Sequence, residues 1–393
     1  MKRRHLLATL PAVFATPRFV SAADARLRVA VIGHTGRGNY GHGLDTMWLK
    51  IPAVEIAAVA DADAAGLAAA QKKLGVSKGF ADYRAMLTEI KPDIVAIGPR
   101  HVDQHRDMLL AAIQGGARGI YIEKPFCRSP QEADEVIAAA EKTGTRIAIA
   151  HRNRYHPVLP HIAKLLKEGT IGRVLELRGR GKEDARGGSL DLWVLGSHVV
   201  NIATFFGGAP VSCAATVLQD GKPITKADVK DGDEGIGALA GNEVHARYEL
   251  TNGLPLFFDS VQNAGAKEAG FGLQIIGTEG VIDFRIDKEP FAHIAHGSPF
   301  NPAIKEPRQW QPITTAGINR PEAISDLGKQ LSSHETAGLD LIAAICDNRA
   351  PLCDAVQGRD IIEMICAVFE SHRLGGQRVP FPLQTRQNPL TQL

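Results

Sequence analysis

Cysteine is scarce in this chain and scattered. Cys127, Cys213, Cys346, Cys353 and Cys366 are the five in 393 residues; they form no C-x-x-C pair, and their number is odd. That spacing supports neither a thiolate zinc cage nor a disulfide framework. Cys346 and Cys366 fall in apolar helical patterns and read as small core residues, with Cys353 in the turn between them; a single bridge in an oxidising compartment stays open. An excess of one charge is missing too. The 45 Lys and Arg stand against 43 Asp and Glu, a net charge of +2, which leaves no electrostatic footprint for nucleic acid or an anionic membrane. No apolar run approaches the ~20 residues of a membrane span. A small molecule is therefore the expected partner.

The chain is 44% apolar and 22% charged, a balance suited to a large core and two globular domains. Its first residues differ from the rest. Lys2-Arg3-Arg4 precedes a weakly apolar stretch from Leu6 to Thr16, and Val20-Ser21-Ala22 offers a small-residue cleavage site. Residues 1–23 read as a twin-arginine-like signal, so a periplasmic or secreted protein is expected. The plainer reading is a basic amphipathic arm kept in the cytoplasm.

From residue 24 to 150, short β-branched runs alternate with longer helical stretches, as in βαβ units around a parallel sheet. Strands are expected over 28–32, 54–60, 94–97, 119–122 and 146–150, and helices over 64–74, 103–114 and 130–143. Ser129 is the expected N-cap of the last helix, with Pro130 at its first position. From 151 to 382 helices give way to consecutive strands, an α+β domain with a mainly antiparallel sheet. An apolar helix is expected over 190–206, a long loop over 291–320, and closing helices near 335–346 and 357–374, with 383–393 as a tail.

The first strand runs into Gly33-His34-Thr35-Gly36-Arg37-Gly38-Asn39-Tyr40-Gly41. Backbone bare of side chains can approach a pyrophosphate there, and a following helix N-terminus can hold its charge. The spacing departs from G-x-G-x-x-G, because Thr35 stands at the second glycine position. Asp61 ends the second strand, where a carboxylate accepts from ribose hydroxyls and repels a 2′-phosphate, so NAD is favoured over NADP in a Rossmann dinucleotide fold. Its plainer role is to cap the next helix. Glu123-Lys124-Pro125 follows the run Gly119-Ile120-Tyr121-Ile122, which places a lysine at the carboxyl end of a buried strand. Burial or a nearby carboxylate there can tune it for proton transfer; a surface lysine in a turn is the alternative.

These residues resemble the Gfo/Idh/MocA oxidoreductases, a family that includes glucose-fructose oxidoreductase and inositol dehydrogenase. The resemblance rests on Ala60-Asp61, Gly98-Pro99 followed by His105, Glu123-Lys124-Pro125, Gly196-x-His198, and Ser371 with Gly375 before Val379-Pro380. It implies a Rossmann domain followed by an α+β domain with a large open sheet, which often forms a dimer or tetramer interface. It also implies an NAD-dependent oxidoreductase acting on a sugar, glycoside or polyol by hydride transfer, with Lys124 and His198 as the catalytic pair. Expected cofactor contacts are Gly33, Thr35, Gly36, Arg37, Gly38, Asp61, Pro99, His105 and Glu123. Expected substrate contacts at the domain junction are Arg100, His151, Arg152, Asn153, Tyr155, Asp191 and Trp193. Many relatives carry an aspartate four residues before the histidine and another three after it; Val194 and Asn201 stand there instead. His198 could then be a core histidine, and Asp191 a charge at a helix start.

No metal is expected, since His151, His156 and His161 recur at a spacing that does not stack on one helical face. Outside a cell's nicotinamide pool the cofactor would have to stay bound and be recycled. Two other readings fit the same residues: an NAD-dependent glycosidase, keto-glycoside lyase or hydratase, and a nucleotide- or sugar-binding protein without turnover.

Overall fold

A computed structural model describes residues 26–265, 271–303 and 307–393, so the signal-like segment 1–23 lies outside the described residues. The first sheet takes the strand order β3-β2-β1-β4-β5-β6, all neighbours parallel, with β1 Leu27–Ile32, β2 Val54–Ala60, β3 Gly79–Phe80, β4 Ile94–Ile97, β5 Gly119–Ile122 and β6 Arg146–Ile149. Buried on both faces, these strands are short apolar runs rather than alternating ones. Helices α1 (Ala64–Leu74), α2 (Tyr83–Ile90), α3 (His105–Gln114) and α4 (Pro130–Thr143) connect them. Ser129 Oγ accepts from the amide of Glu132, Pro130 opens α4, and Gly144 closes it at φ 74°. The chain reverses direction across the sheet between β1 and β4, and a crevice for ligands opens at such a switch point.

The first crossover departs from expectation. Residues 33–46 fold as successive turns, and helical geometry begins only in the 3₁₀ segment Met47–Lys50. Gly36, Gly38, Gly41, Gly43 and Asn39 all have positive φ, which interrupts any helical run and removes the helix N-terminus expected to face a pyrophosphate. α2 was not anticipated, although Asp82 caps it and Met86, Leu87 and Ile90 bury one face.

The second domain opens with α5 (Val158–Lys167) and contains an eleven-stranded sheet among the described residues. Its strands are β7 (Val174–Arg180), β8 (Pro210–Gln219), β9 (Lys222–Pro223), β12 (Glu243–Leu250), β13 (Pro255–Val261), β14 (Gly272–Gly277), β15 (Gly280–Arg285), β16 (Ala292–His296), β17 (Gln311–Thr314), β18 (Gly317–Ile318) and β19 (Val379–Pro380). Pairing is antiparallel except where β13 runs parallel to β7. A small hairpin, β10 (Lys230–Gly232) with β11 (Gly237–Leu239), stands apart. The segment 291–320, expected to be a loop, supplies β16, β17 and β18. Its prolines and asparagines masked short strands whose order comes from pairing onto β15.

Contrary to the expectation that no apolar run approaches a membrane span, the apolar helix runs over the 19 residues Ser189–Gly207 and is long and apolar enough to cross one, but most of it is buried within the protein. It comprises α6 (Ser189–Asp191), a π turn (Leu192–Gly196) and α7 (Ser197–Gly207). After α8 (Leu327–Ser332), α9 (Glu335–Cys346) returns to pack on β5 and β6. The sequence division at residue 150 had put α9 with the second domain. Gly119 makes the seat for it, since a Cβ there would lie 2.5 Å from Ile345 Cδ1. α10 (Ala355–Arg373) packs on α4 and β8, and Ser371 Oγ accepts from Ala215 N at 2.8 Å while donating to Gln377 O at 2.7 Å. All five cysteines are free thiols; Cys346 is exposed rather than in the core, on the outer side of α9.

Candidate active site

Strand ends deliver the chemistry to one edge. β1 leads into the glycine turns, β2 into Asp61, β4 into Gly98-Pro99-Arg100, β5 into Glu123-Lys124 and β6 into His151. Glu123 is 1% exposed; its Oε1 accepts from His42 N at 2.8 Å and lies 2.6 Å from His42 Nδ1, and its Oε2 accepts from Lys124 N at 3.0 Å. Burial alone would raise its pKa, but the hydrogen bond and charge of His42, together with Lys124, hold it at about 2. Glu123 thus fastens the glycine-rich segment to β5. That contact spans 81 residues, and no sequence pattern announced it.

Lys124 is 7% exposed and donates from Nζ to the carbonyl of Val194 at 2.7 Å. Val194 lies inside the π turn, an irregularity that recurs at functional sites. The position that lacks the family's aspartate therefore meets the lysine through its main chain. Burial lowers the Lys124 pKa, against the opposing charges of Glu123 and Glu234.

His198, the second residue of α7, sets its ring edge-on to His151, with centroids 5.3 Å apart. Burial, then the charges of His151 and Lys124, drives the His198 pKa well below its ordinary value. Burial and Lys124 take His151 to about 3, so both rings are neutral near pH 7. Buried and unpartnered polar atoms gather on these elements: His151 Nδ1, Asn153 Nδ2, Trp193 Nε1 and His198 Nδ1. Leaving such groups unpaired costs ~1–3 kcal/mol each, so these atoms favour the arrival of further hydrogen-bonding groups.

Other expected site residues serve the scaffold. Asp191 is fully buried, and its Oδ2 accepts from Ser260 Oγ at 2.7 Å and Glu183 N at 3.0 Å, pinning the loop before α6. The π turn breaks the helical phase on which Asp191 and His198 would have shared a face. His105, also fully buried, lies between the carbonyls of Pro99 at 2.7 Å and Pro125 at 2.8 Å. It clasps the ends of β4 and β5. Arg152 is tied to Asp287 at 2.7 Å, Arg37 to Asp103 at 2.5 Å, and Arg100 faces Glu234 at 3.8 Å.

Glu234, at φ 57° in the turn between β10 and β11, and His334 were both missed by sequence reasoning. His334 Nδ1 lies 2.7 Å from Tyr121 Oη beneath the Glu123-Lys124 corner. Each reaches the site from far along the chain, with no local signature.

A nicotinamide dinucleotide fits this edge in part. Gly36 at φ 82° has open space where a Cβ would project, so its backbone is accessible to phosphate, and the unpartnered atoms around Lys124 suit the other end. Asp61 is different. It is 1% exposed; Oδ1 accepts from Thr35 N at 3.1 Å and Asp63 N at 3.0 Å, and Oδ2 accepts from Thr35 Oγ1 at 2.7 Å and Tyr40 Oη at 2.9 Å.

Comparison with known proteins supports this picture. Residues 27–151 match the GFO_IDH_MocA family, described as an oxidoreductase family with an NAD-binding Rossmann fold. The D-apiose dehydrogenase of Paraburkholderia graminis is 29% identical over 46% of this chain and 51% of its own length. The levoglucosan dehydrogenase of Pseudarthrobacter phenanthrenivorans is 24% identical over 61% of this chain and 67% of its own. The chain thus spans about half the length of the first of these relatives. A solved levoglucosan dehydrogenase in complex with NADH and L-sorbose shares the fold at a TM-score of 0.71 and 20% identity, covering 91% of this chain and 99% of that one.

Proposed function

The chain belongs to the Gfo/Idh/MocA oxidoreductases through its NAD-binding Rossmann domain, and on that premise we propose that it oxidises a secondary alcohol of a sugar, glycoside or polyol with NAD as oxidant. One observation carries the reading: a buried Lys124, anchored on the Val194 carbonyl, stands with neutral His198 and His151 among unpartnered polar atoms at the carboxyl ends of β5 and β6. Curated relatives named as dehydrogenases of apiose and levoglucosan point to the same substrate class.

A nicotinamide held by the residues at these strand ends would supply the hydride acceptor. Lys124 handles the accompanying proton. As the carbinol carbon loses hydride, its O–H bond breaks, the proton passes to Lys124 in its deprotonated form, and a C=O bond forms. Burial acts oppositely on the two candidate bases: it draws lysine down toward the working pH and pushes His198 away from it. On its position at the end of β5, beside the two rings, Lys124 is assigned as the base, and neutral His198 and His151 orient substrate hydroxyls. The Val194 carbonyl, which accepts from Lys124 Nζ, holds the resulting ammonium by its dipole.

The test is nicotinamide reduction by the NAD-loaded protein across a panel of sugars, glycosides and polyols. Lys124→Met should lower kcat by about 10²–10⁴-fold while NAD affinity stays unchanged. If no member of the panel reduces the cofactor or yields product, the dehydrogenase reading fails. If the variant keeps its rate, Lys124 is not the base.

A further inference from the structure

The carboxylate expected to receive the nucleotide ribose already has every acceptor site in use. A carboxylate offers about four lone-pair positions, and Thr35 N, Thr35 Oγ1, Asp63 N and Tyr40 Oη supply four donors to Asp61. Three of these belong to the frame. Asp63 is the N-cap of α1, and Thr35 contributes both its amide and its hydroxyl. Thr35 is also seated against Gly66, where a Cβ would lie 2.0 Å from Thr35 Oγ1 and 3.0 Å from Asp61 Oδ2. The fourth donor is held differently. Tyr40 reaches Asp61 only through its phenol, is partly exposed, and sits between Asn39 at φ 52° and Gly41 at φ 60° in the turn segment. Its ring lies over Gly33, whose Cβ would fall 2.1 Å from Tyr40 Cε1, so the ring covers the end of β1 beside the end of β2. A dinucleotide fold places the adenosine ribose against that same strand pair.

We propose that Tyr40 is a resident competitor for the Asp61 carboxylate: the adenosine ribose binds by displacing the Tyr40 phenol, so Tyr40 sets the affinity of the nucleotide site. The idea rests on the NAD reading above and concerns the adenosine half alone. The phenol oxygen holds the acceptor position that a ribose hydroxyl needs, and its departure leaves the Thr35 and Asp63 bonds intact. Ribose binding exchanges one hydrogen bond to Asp61 for another, and the net affinity is reduced by the bond it must break.

ADP-ribose is the probe, because it carries the ribose but no nicotinamide. Calorimetry on the full chain should show Tyr40→Phe binding ADP-ribose about tenfold more tightly than the unaltered protein, the worth of one hydrogen bond to a charged group. Equal or weaker binding by the variant overturns the proposal. A second measurement uses the unaltered sequence labelled with 3-fluorotyrosine, whose five tyrosine signals are resolved by fluorine NMR. The signal missing from Tyr40→Phe should move on addition of ADP-ribose, and a stationary signal at saturation overturns the proposal even if the variant folds poorly. If neither protein binds ADP-ribose or NAD, the cofactor reading itself fails, an outcome distinct from binding that is indifferent to Tyr40.

Discussion

Desolvation sets the protonation of the site residue by residue, and its sign depends on the group. Lys124 loses part of its affinity for a proton, His151 and His198 stay neutral, and Glu123 resists burial only because His42 and Lys124 stand beside it. His334 extends the same logic into stability. Burial takes it from an ordinary 6.5 to about 4, against the pull of Glu123. Between those values the unfolded chain binds a proton that the folded one refuses, so stability is full above about 6.5 and falls as pH drops through the window. His334→Gln, which cannot titrate, should flatten the decline in melting temperature between pH 7 and pH 4. A slope identical to that of the unaltered protein would show that His334 is not a source of the acid sensitivity. The position of Lys124 was legible because a lysine after a buried apolar run is conspicuous. The partners of Glu123 and Lys124 were not, since they lie 81 and 70 residues away.

At the level of elements, irregular segments build the site and regular ones carry it. The turn segment 33–46, the π turn in the long apolar helix and the strained corner at Glu234 all face the edge where the strands end. Helix α1 shows how closely the regular parts are fitted to them. Replacing glycine by alanine inside a helix ordinarily stabilises by about 1 kcal/mol, and Gly66 lies in α1. There the added Cβ would meet Thr35 Oγ1 at 2.0 Å, so the clash wins. Gly66→Ala should destabilise by about 1–3 kcal/mol in denaturant titration. A stabilised variant would mean that Thr35 is not held against α1. Caps and periodicity made α1 and α4 readable in advance, whereas the π turn has no composition of its own and the short strands of 292–318 depend on neighbours for their hydrogen bonds.

For the whole molecule, closing helices tie the two sheets together: α9 lies on the nucleotide sheet, and α10 runs between α4 and β8. The last residues join that arrangement. Arg386 bonds Asp134 on α4 and Glu363 on α10, and Leu390 is buried, so 383–393 is a docked segment. We propose that residues 1–23 export the protein in its folded state, which would let cofactor and enzyme cross together. Arg3→Lys combined with Arg4→Lys should shift the protein from the periplasmic to the cytoplasmic fraction; unchanged periplasmic yield would refute twin-arginine transport. If the protein is exported as proposed, its nicotinamide would have to stay bound and be reoxidised in place, and the proposed Tyr40 competition for Asp61 would then bear on that retention.

By itself the sequence determined five of the six strands of the first sheet and helices α1, α3 and α4, the passage to an α+β domain, and the placement of glycine turn, Asp61, Lys124 and His198 at strand and helix ends. Those features follow from local periodicity, capping and backbone freedom, which act over a few residues. Tertiary structure decided what each group touches: Tyr40 on Asp61, His42 on Glu123, the Val194 carbonyl on Lys124, and His151 against His198. Such contacts depend on how distant elements dock and on which polar atoms burial leaves to find one another, and no local pattern of residues encodes that.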